Sequence, residues 1–545
     1  MKSFVVAAFL LLFAQIGQAQ SNAAWEQNFI APGNVIYSLI DSHTDADGNT
    51  YLLWIDHDNA HAEYLAKISP AGGIVWHDTL DIPGKKFSAG WFKGNLSVVD
   101  DRIVIGAITY PLANGYADAT IVVYDTAGQM VNYKANTIWW QATPWRIIQN
   151  ANHEVWFVYS QGSPFDTSPI LYASKFDAAL TVQWTKSYPM PKICSDVAAV
   201  LDANDNLYVS YSSDSLAPNG HNILANTRKI STSGQEMWLR PRPLTNYRYA
   251  TLTGSNLVLA GKAYNYTNYA SNDTGDAAIT FIDINTGIEV THDVYNSAAP
   301  AREISKDILV DGNGDVLWLG VEGVSSNFGN PSSTVVRKYN SAGSLLWSNQ
   351  TPTYPTCSAP NNLTQDVSGD FWISTWACQP AQGMSEVSQH WRITNTGQID
   401  STLSHTIHPL LLGPLHSTVD AHGSHYVAYQ QAECGGNRVG VFKYAGTQDP
   451  VAIAEADFPS TGIVIAPNPA SGQTTLAATA PQAGSIRVHV RDVSGKLVYA
   501  RSVEVNPGEF SLDLALDGVK AGIYFVELTL SDGLIGTWKL VVLGE

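Results

Sequence analysis

Residues 67–76, KISPAGGIVW, decide the fold of this 545-residue chain. The same pattern returns at 229–238 as KISTSGQEMW and at 338–347 as KYNSAGSLLW. Each copy holds the end of one strand, a turn of small residues around Gly72, Gly234 or Gly343, and a strand headed by Trp76, Trp238 or Trp347. Small residues between two β-rich segments read as a hairpin. Degenerate copies lie at 124–131, 176–184, 282–290 and 393–399.

A second hairpin lies upstream of each copy. It reads Asp45-Ala46-Asp47-Gly48-Asn49 before Tyr51, and Asp202-Ala203-Asn204-Asp205-Asn206 before Leu207. It returns at 311–315, at 368–370 and at 421–423. The unit is therefore four strands long with a period of about 53 residues, as in propeller blades. One four-stranded sheet cannot bury both its faces, but radially stacked sheets cover one another. The outer-strand Trp is read as a plug between neighbouring blades. Fourth strands fall near residues 25, 76, 131, 184, 238, 290, 347 and 399, and three-strand sets begin near 35, 87, 139, 194, 246, 303, 358 and 413. The last set lacks a fourth strand, and residues 25–30 lack a preceding set. Joining them gives eight blades and leaves no open edge; seven result if one degenerate copy is an insertion.

These turns resemble, in relaxed form, the Ala-x-Asp-x-x-Thr-Gly-x-x-x-Trp signature of the quinoprotein alcohol dehydrogenase-like propellers. The matching stretches are 69–76, 231–238 and 340–347. The enzymes of that superfamily hold a quinone beside adjacent cysteines and calcium. This chain has no adjacent cysteines, so no cofactor is expected.

The last part of the chain reads differently. Residues 446–460 are small and acidic, and read as a linker. Beyond them, apolar alternation at 486–490, 497–499, 510–514, 523–528 and 539–542 predicts a small β-sandwich. The motifs Pro467-Asn468-Pro469-Ala470, Asp492-Val493-Ser494-Gly495-Lys496, Ala521-Gly522-Ile523-Tyr524 and Lys539-Leu540-Val541-Val542 strongly resemble the type A C-terminal sorting domain of the type IX secretion system of Bacteroidota. That resemblance implies an immunoglobulin-like fold and a partner, the type IX machinery. It also implies a mature protein released from the cell or held at its surface on lipopolysaccharide. The sorting residues it marks are Pro467, Asn468, Pro469, Gly495, Lys496, Gly522, Tyr524 and Lys539. The expected order is thus a signal peptide at 1–19, a propeller at 20–445, a linker at 446–460 and a sorting domain at 461–545. The fold class is all-β.

The signal peptide rests on Lys2, the apolar run FVVAAFLLLF at 4–13 and small residues at 17–19. That run is too short to span a bilayer. Of four cysteines, Cys357 and Cys378 are expected to pair, because the strands at 361–366 and 371–377 fold about Ser368-Gly369. Cys194 with Cys434 follows by elimination alone.

The formal charge of -18, from 30 basic and 48 acidic residues, argues against a nucleic-acid partner. Nucleophile-elbow, HExxH and phosphate-loop motifs are missing from the sequence. The Asp-rich turns read as hairpins, with cation binding as the alternative. The five histidines 405, 408, 416, 422 and 425 are read as scattered over strands and loops of the last blade. Tyr264, Tyr266 and Tyr269 form the candidate ligand loop, since Tyr and Asn suit glycan or peptide recognition. No catalytic or metal residue is assigned. The expectation is a monomeric, non-catalytic module for an unknown protein or glycan ligand. The alternative is a secreted propeller enzyme that degrades polysaccharide or peptide. Carboxylates and His converging at the axis would favour the enzyme.

Overall fold

The computed structural model describes residues 24–542, apart from 31–36, 57–61, 89–94, 112–116, 138–141, 163–168, 191–195, 218–219, 265–274, 297–301, 325–332, 352–357, 380–384, 406–415, 434–435, 445–463 and short breaks at 472, 481–483, 493–496, 517–518 and 531–532. In parts of some strands it describes the backbone alone. The chain divides into two units, Met1–Gln448 and Asp449–Glu545. No helix occurs among the described residues.

The first unit holds eight antiparallel sheets. Blade 1 runs outward through Tyr37–Thr44, Thr50–Asp56, Glu63–Ile68 and Ile74–Thr79. The same order repeats in blades 2 to 7, which begin at residues 85, 142, 197, 245, 302 and 358. In blade 2 the inner strand comes in two pieces, Lys85–Ser88 and Leu96–Val99, both paired with Arg102–Pro111. Blade 8 has His416–Val419, His425–Glu433 and Gly436–Tyr444 from one end of the unit. Its fourth strand is Trp25–Ile30, from the other end, in register from Trp25↔Lys443 to Ile30↔Arg438. The inner strands touch in a closed ring, with blade 1 against both blade 2 and blade 8.

Burial follows from this stacking. A second strand is covered on both faces by neighbouring blades, so it reads as a nearly continuous apolar run. Every residue of Thr50–Asp56 is buried, whereas the fourth strand Ile74–Thr79 is mostly exposed. The core is divided among blade interfaces rather than gathered at one centre. Between blades 8 and 1, Leu39, Leu52 and Trp54 pack against Tyr426, Val439 and Val441, with Trp25 and Phe29 alongside.

Outer-strand tryptophans latch five of the eight blades to the next. Trp25, Trp76, Trp184, Trp238 and Trp347 donate Nε1–H to the carbonyls of Pro70, Thr126, Thr232, Ile284 and Asn395 at 2.8–3.2 Å. Their rings lie on Gly72, Gly128, Gly234, Gly287 and Gly397, where an added Cβ would stand 2.7–2.8 Å from ring atoms or their nearest neighbours. Only glycine fits there, and its positive φ is what closes the turn.

The other turns are closed by their first carboxylate. Asp202 accepts N–H bonds from Asn204 and Asn206 at 2.9 Å and the Tyr208 hydroxyl at 3.0 Å. Asp420 does the same with His422, Ser424 and Tyr426. These are Asx turns that anchor the following aromatic residue.

In the second unit the strand order is Leu497–Val505, Gly484–Asp492, Gly522–Leu530, Gly533–Val542, Val464–Ser471, Gln473–Ala480, Gly508–Ala515. Val464–Ser471 changes partner along its length. Residues 464–466 pair with Gln473–Ala480, while Ala470 meets Val542 in parallel. Alternate residues of the strands on either side, including Leu476, Leu512 and Leu514 and Val488, Val526 and Leu540, share one core.

Candidate functional site at the propeller axis

The inner strands carry a repeated irregularity. In blades 1, 3, 5, 6 and 7 an extra residue interrupts the register with the second strand: Ile40, Trp145, Arg248, Lys306 and Asn361. A bulge re-aims the side chains on either side of it. The residues that follow are Asp41, Arg146, Tyr249, Asp307 and Asn362, polar or aromatic groups in otherwise apolar strands.

Several of these groups stitch one blade to the next. Asp41 Oδ2 accepts from the backbone N–H groups of Asn95 and Leu96 at 3.1 and 3.2 Å. Asp307 accepts from Leu363 N–H at 3.0 Å, and Asn362 from Ser417 N–H at 2.9 Å. Asp196 accepts from Asn246 Nδ2 at 2.7 Å. His416 Nδ1 closes the ring at 3.3 Å from Asp41 Oδ1. Seven of the eight inner strands or their flanks thus contribute.

Three cations join them. Arg146 donates to the Trp145 carbonyl at 3.0 Å and, across the channel, to the Arg248 carbonyl at 3.1 Å. Burial lowers its guanidinium below the ordinary value, while Tyr249, Asp41 and Asp307 pull it back up. Burial pushes the Tyr249 phenol up to about 12, against the pull of Arg248 and Arg146. At neutral pH Tyr249 is therefore a hydrogen-bond donor rather than a base. The Lys306 amine is drawn down to about 8, first by burial and then by the like charge of Arg248.

The carboxylates and His do converge on the axis, the pattern that sequence reasoning associates with an enzyme. Each carboxylate is also engaged by backbone or amide N–H groups, and Asp41 in addition faces His416. Asp41, Arg146, Arg248, Lys306 and Asp307 were not singled out by sequence. Each looks like an isolated polar residue in a strand. The available signal was a polar side chain at the same step of successive inner strands.

The residues that sequence did single out are more dispersed. Tyr264 ends a second strand opposite Gly275, and Tyr266 and Tyr269 lie outside the described residues. Cys378 pairs in backbone register with Glu386; its side chain and Cys357 lie outside the described residues, as do Cys194 and Cys434. The strands flanking Cys357 and Cys378 do fold about Gly369, with Ser358 opposite Ala377. The histidines do not form one group, and one assignment is corrected. His405 ends the fourth strand of blade 7 rather than lying in the last blade, because the third-to-fourth-strand turn of blade 7 falls at 394–398. His416 reaches the axis, whereas His425 is buried between the rings of Trp372 and Tyr444. Among the described residues no group of three His, Cys, Asp or Glu is placed to hold a metal ion.

In the second unit Pro467, Asn468 and Pro469 fall where Val464–Ser471 leaves one strand partner for the other. Gly522 opens Gly522–Leu530, and the Tyr524 hydroxyl caps it by donating to the Lys520 carbonyl at 2.8 Å. Lys539 pairs with Phe525; Gly495 and Lys496 lie outside the described residues. Residues 464–542 match the family model of the secretion system C-terminal sorting domain. The chain is thus a propeller exported by type IX secretion to the cell surface or the medium, and the type IX machinery is its partner.

The propeller is similar to solved structures at low identity. One is the WD40 domain of SCAP from fission yeast, 9% identical, covering 76% of this chain and 98% of that one, with a TM-score of 0.40. Another is an ulvan lyase from a new family of polysaccharide lyases, 12% identical over 77% and 96%, with a TM-score of 0.37. A protein of unknown function from Dyadobacter fermentans is 9% identical over 55% and 93%, with a TM-score of 0.34. Likenesses of this size say nothing about what the chain binds. No curated protein matches it.

Proposed function

We propose that this protein is an exported recognition module that binds a glycan or protein ligand at one mouth of the propeller axis without turning it over. The observation that carries the reading is the axial ring itself. Every blade contributes groups there, blade 2 through backbone N–H alone, and its carboxylates are held in hydrogen bonds between blades. A group already engaged in this way is a poor acid or base, whereas a rigid polar rim suits binding. The loop that carries Tyr264, Tyr266 and Tyr269, between the second and third strands of blade 5, is the candidate contact.

The export route completes the reading. Residues 1–19 direct the chain to the periplasm, and the sorting domain, of type A, then carries the folded propeller outward. Release or attachment to lipopolysaccharide follows. The mature protein acts as a monomer and needs no cofactor, and Cys357 bonds to Cys378. The test is a glycan and polysaccharide array probed with the mature chain, assayed together for binding and product release. Binding without product supports the reading; turnover of any bound polymer overturns it.

A further inference from the structure

The axial ring contains a local imbalance of charge. Arg248 and Lys306 occupy the same step, the extra residue of the inner-strand bulge, in adjacent blades 5 and 6. The carboxylates around them have partners of their own. Asp307 binds Leu363 N–H and its own neighbour Ile308 N–H. Asp196 binds Asn246, and Asp41 binds Asn95, Leu96 and Ser42. Among the described residues neither Arg248 nor Lys306 has an ion-pair partner. Two like charges side by side repel unless an anion lies between them. This occurs within a chain of formal charge -18, whose other described lysines at the blade interfaces are paired or stacked, as Lys338 is with Asp311 and Asp315.

We propose that Arg248 and Lys306 form an oxyanion site for the carboxylate or sulfate group of an acidic saccharide. This deepens the recognition reading and rests on it. Arg248 offers a planar fork of donors, and Lys306 a point charge beside it. Tyr249, next along the strand, adds a protonated hydroxyl and a flat ring. An acidic sugar carries its anion at the edge of a ring with an apolar face, a match for a cation pair flanked by an aromatic residue. An acidic peptide has the charge but not the flat face. Burial first, and then the like charge of Arg248, lowers the Lys306 amine. Bound oxyanion would reverse that shift, so binding would take up protons near pH 8.

The test uses the mature full-length chain and four probes: an oligosaccharide containing glucuronate, its neutral glucose counterpart, a short polyglutamate peptide and inorganic sulfate. Titration calorimetry is run on wild type, R248Q, K306Q and the double variant. The acidic oligosaccharide is expected to bind wild type, more weakly as salt rises, and to lose about tenfold or more in each single variant, the size of one lost charge-assisted hydrogen bond. A second readout needs no variant. Acetylation of Lys306, followed by mass spectrometry, should slow severalfold in the presence of the acidic oligosaccharide and not with the neutral one. Equal affinity in wild type and double variant, or unchanged acetylation, overturns the site. Protection by polyglutamate but not by the acidic oligosaccharide overturns the saccharide assignment. A neutral glycan that binds wild type and double variant alike overturns the anion site and leaves the recognition reading standing. A chain that turns over the acidic oligosaccharide fails the recognition reading, even if Lys306 is protected.

Discussion

The indole of Trp347 in blade 6 rests on Gly397 of blade 7, and its Nε1–H reaches the Asn395 carbonyl at 3.2 Å. A Cβ on Gly397 would stand 2.7 Å from the ring, at a φ of +90°. Gly397→Ala therefore meets two costs, left-handed strain of about 1–2 kcal/mol and overpacking of about 1–3 kcal/mol. We expect a loss of roughly 2–5 kcal/mol in a urea denaturation series, while Gly254→Ala, at φ +52° with open space around it, loses only the strain. Equal losses would mean that the latch adds nothing.

Blade 2 breaks the pattern in an informative way. Asn132 stands four residues after the turn residue Gly128, the place of the latch Trp, and donates to the Ala179 carbonyl at 3.2 Å. The facing turn in blade 3 has Leu180 at φ +63° where six others have glycine. Leu180 is buried in the interface core, and a cavity of about 330 Å³ lies beside Asn132 and Ala179. The two departures belong together, because without the indole a Cβ has room. Asn132→Trp alone is expected to destabilise by about 1–3 kcal/mol, since the ring collides with Leu180. Asn132→Trp with Leu180→Gly should recover much of that loss. The double-mutant cycle should show a coupling of about 0.5–3 kcal/mol; additive effects would sink the idea.

Much of this architecture was legible because turns and plugs are local. The words around Gly72, Gly234 and Gly343 place a turn and a Trp within ten residues, and the blade starts follow from counting. Even the joining of residues 25–30 to the last three-strand set followed from a missing fourth strand. The axial ring was not legible for the opposite reason. Asp41, Arg146, Arg248 and Lys306 lie far apart in sequence and meet only through closure of the ring and a one-residue bulge in the inner strands that carry them. A bulge inverts the side-chain alternation on which strand reading depends. The turn Asp residues look like cation ligands until their partners, N–H groups two and four residues on, are seen.

Closure itself can be tested at Trp25. This residue joins both ends of the propeller. Its Nε1–H bonds to the Pro70 carbonyl in blade 1 at 2.8 Å, and its ring lies 6.0 Å from that of Tyr426 in blade 8. Trp25→Ala should cost about 2 kcal/mol, roughly half the loss for a fully buried Trp. Hydrogen exchange should rise first in Gly436–Tyr444, which would lose its cover, and in the 69–73 turn. Faster exchange spread evenly over all blades would argue that the N-terminal strand is no special clasp.

Acid stability should depend on two buried imidazoles. Burial holds His425 down to about 3, with Asp366 opposing, and holds His292 down to about 4, with Arg242 adding and Asp293 opposing. Both rings are therefore neutral in the folded protein at pH 7, and both take a proton near pH 6.5 once unfolded. Between those values the unfolded chain binds more protons, so stability falls as pH drops from about 6.5 towards 4 for His292 and towards 3 for His425. Carboxylates with lowered values, such as Asp202, act mainly below pH 4 and leave the upper part of this window to the histidines. His425 sits between the rings of Trp372 and Tyr444, a place that a phenyl ring can share. His425→Phe should flatten the fall in melting temperature between pH 6.5 and 4 and leave the limb below pH 4 in place. His292→Gln should flatten the same window less, because its ring is nearer to solvent. An unchanged acid limb in both variants would assign the loss to carboxylates alone.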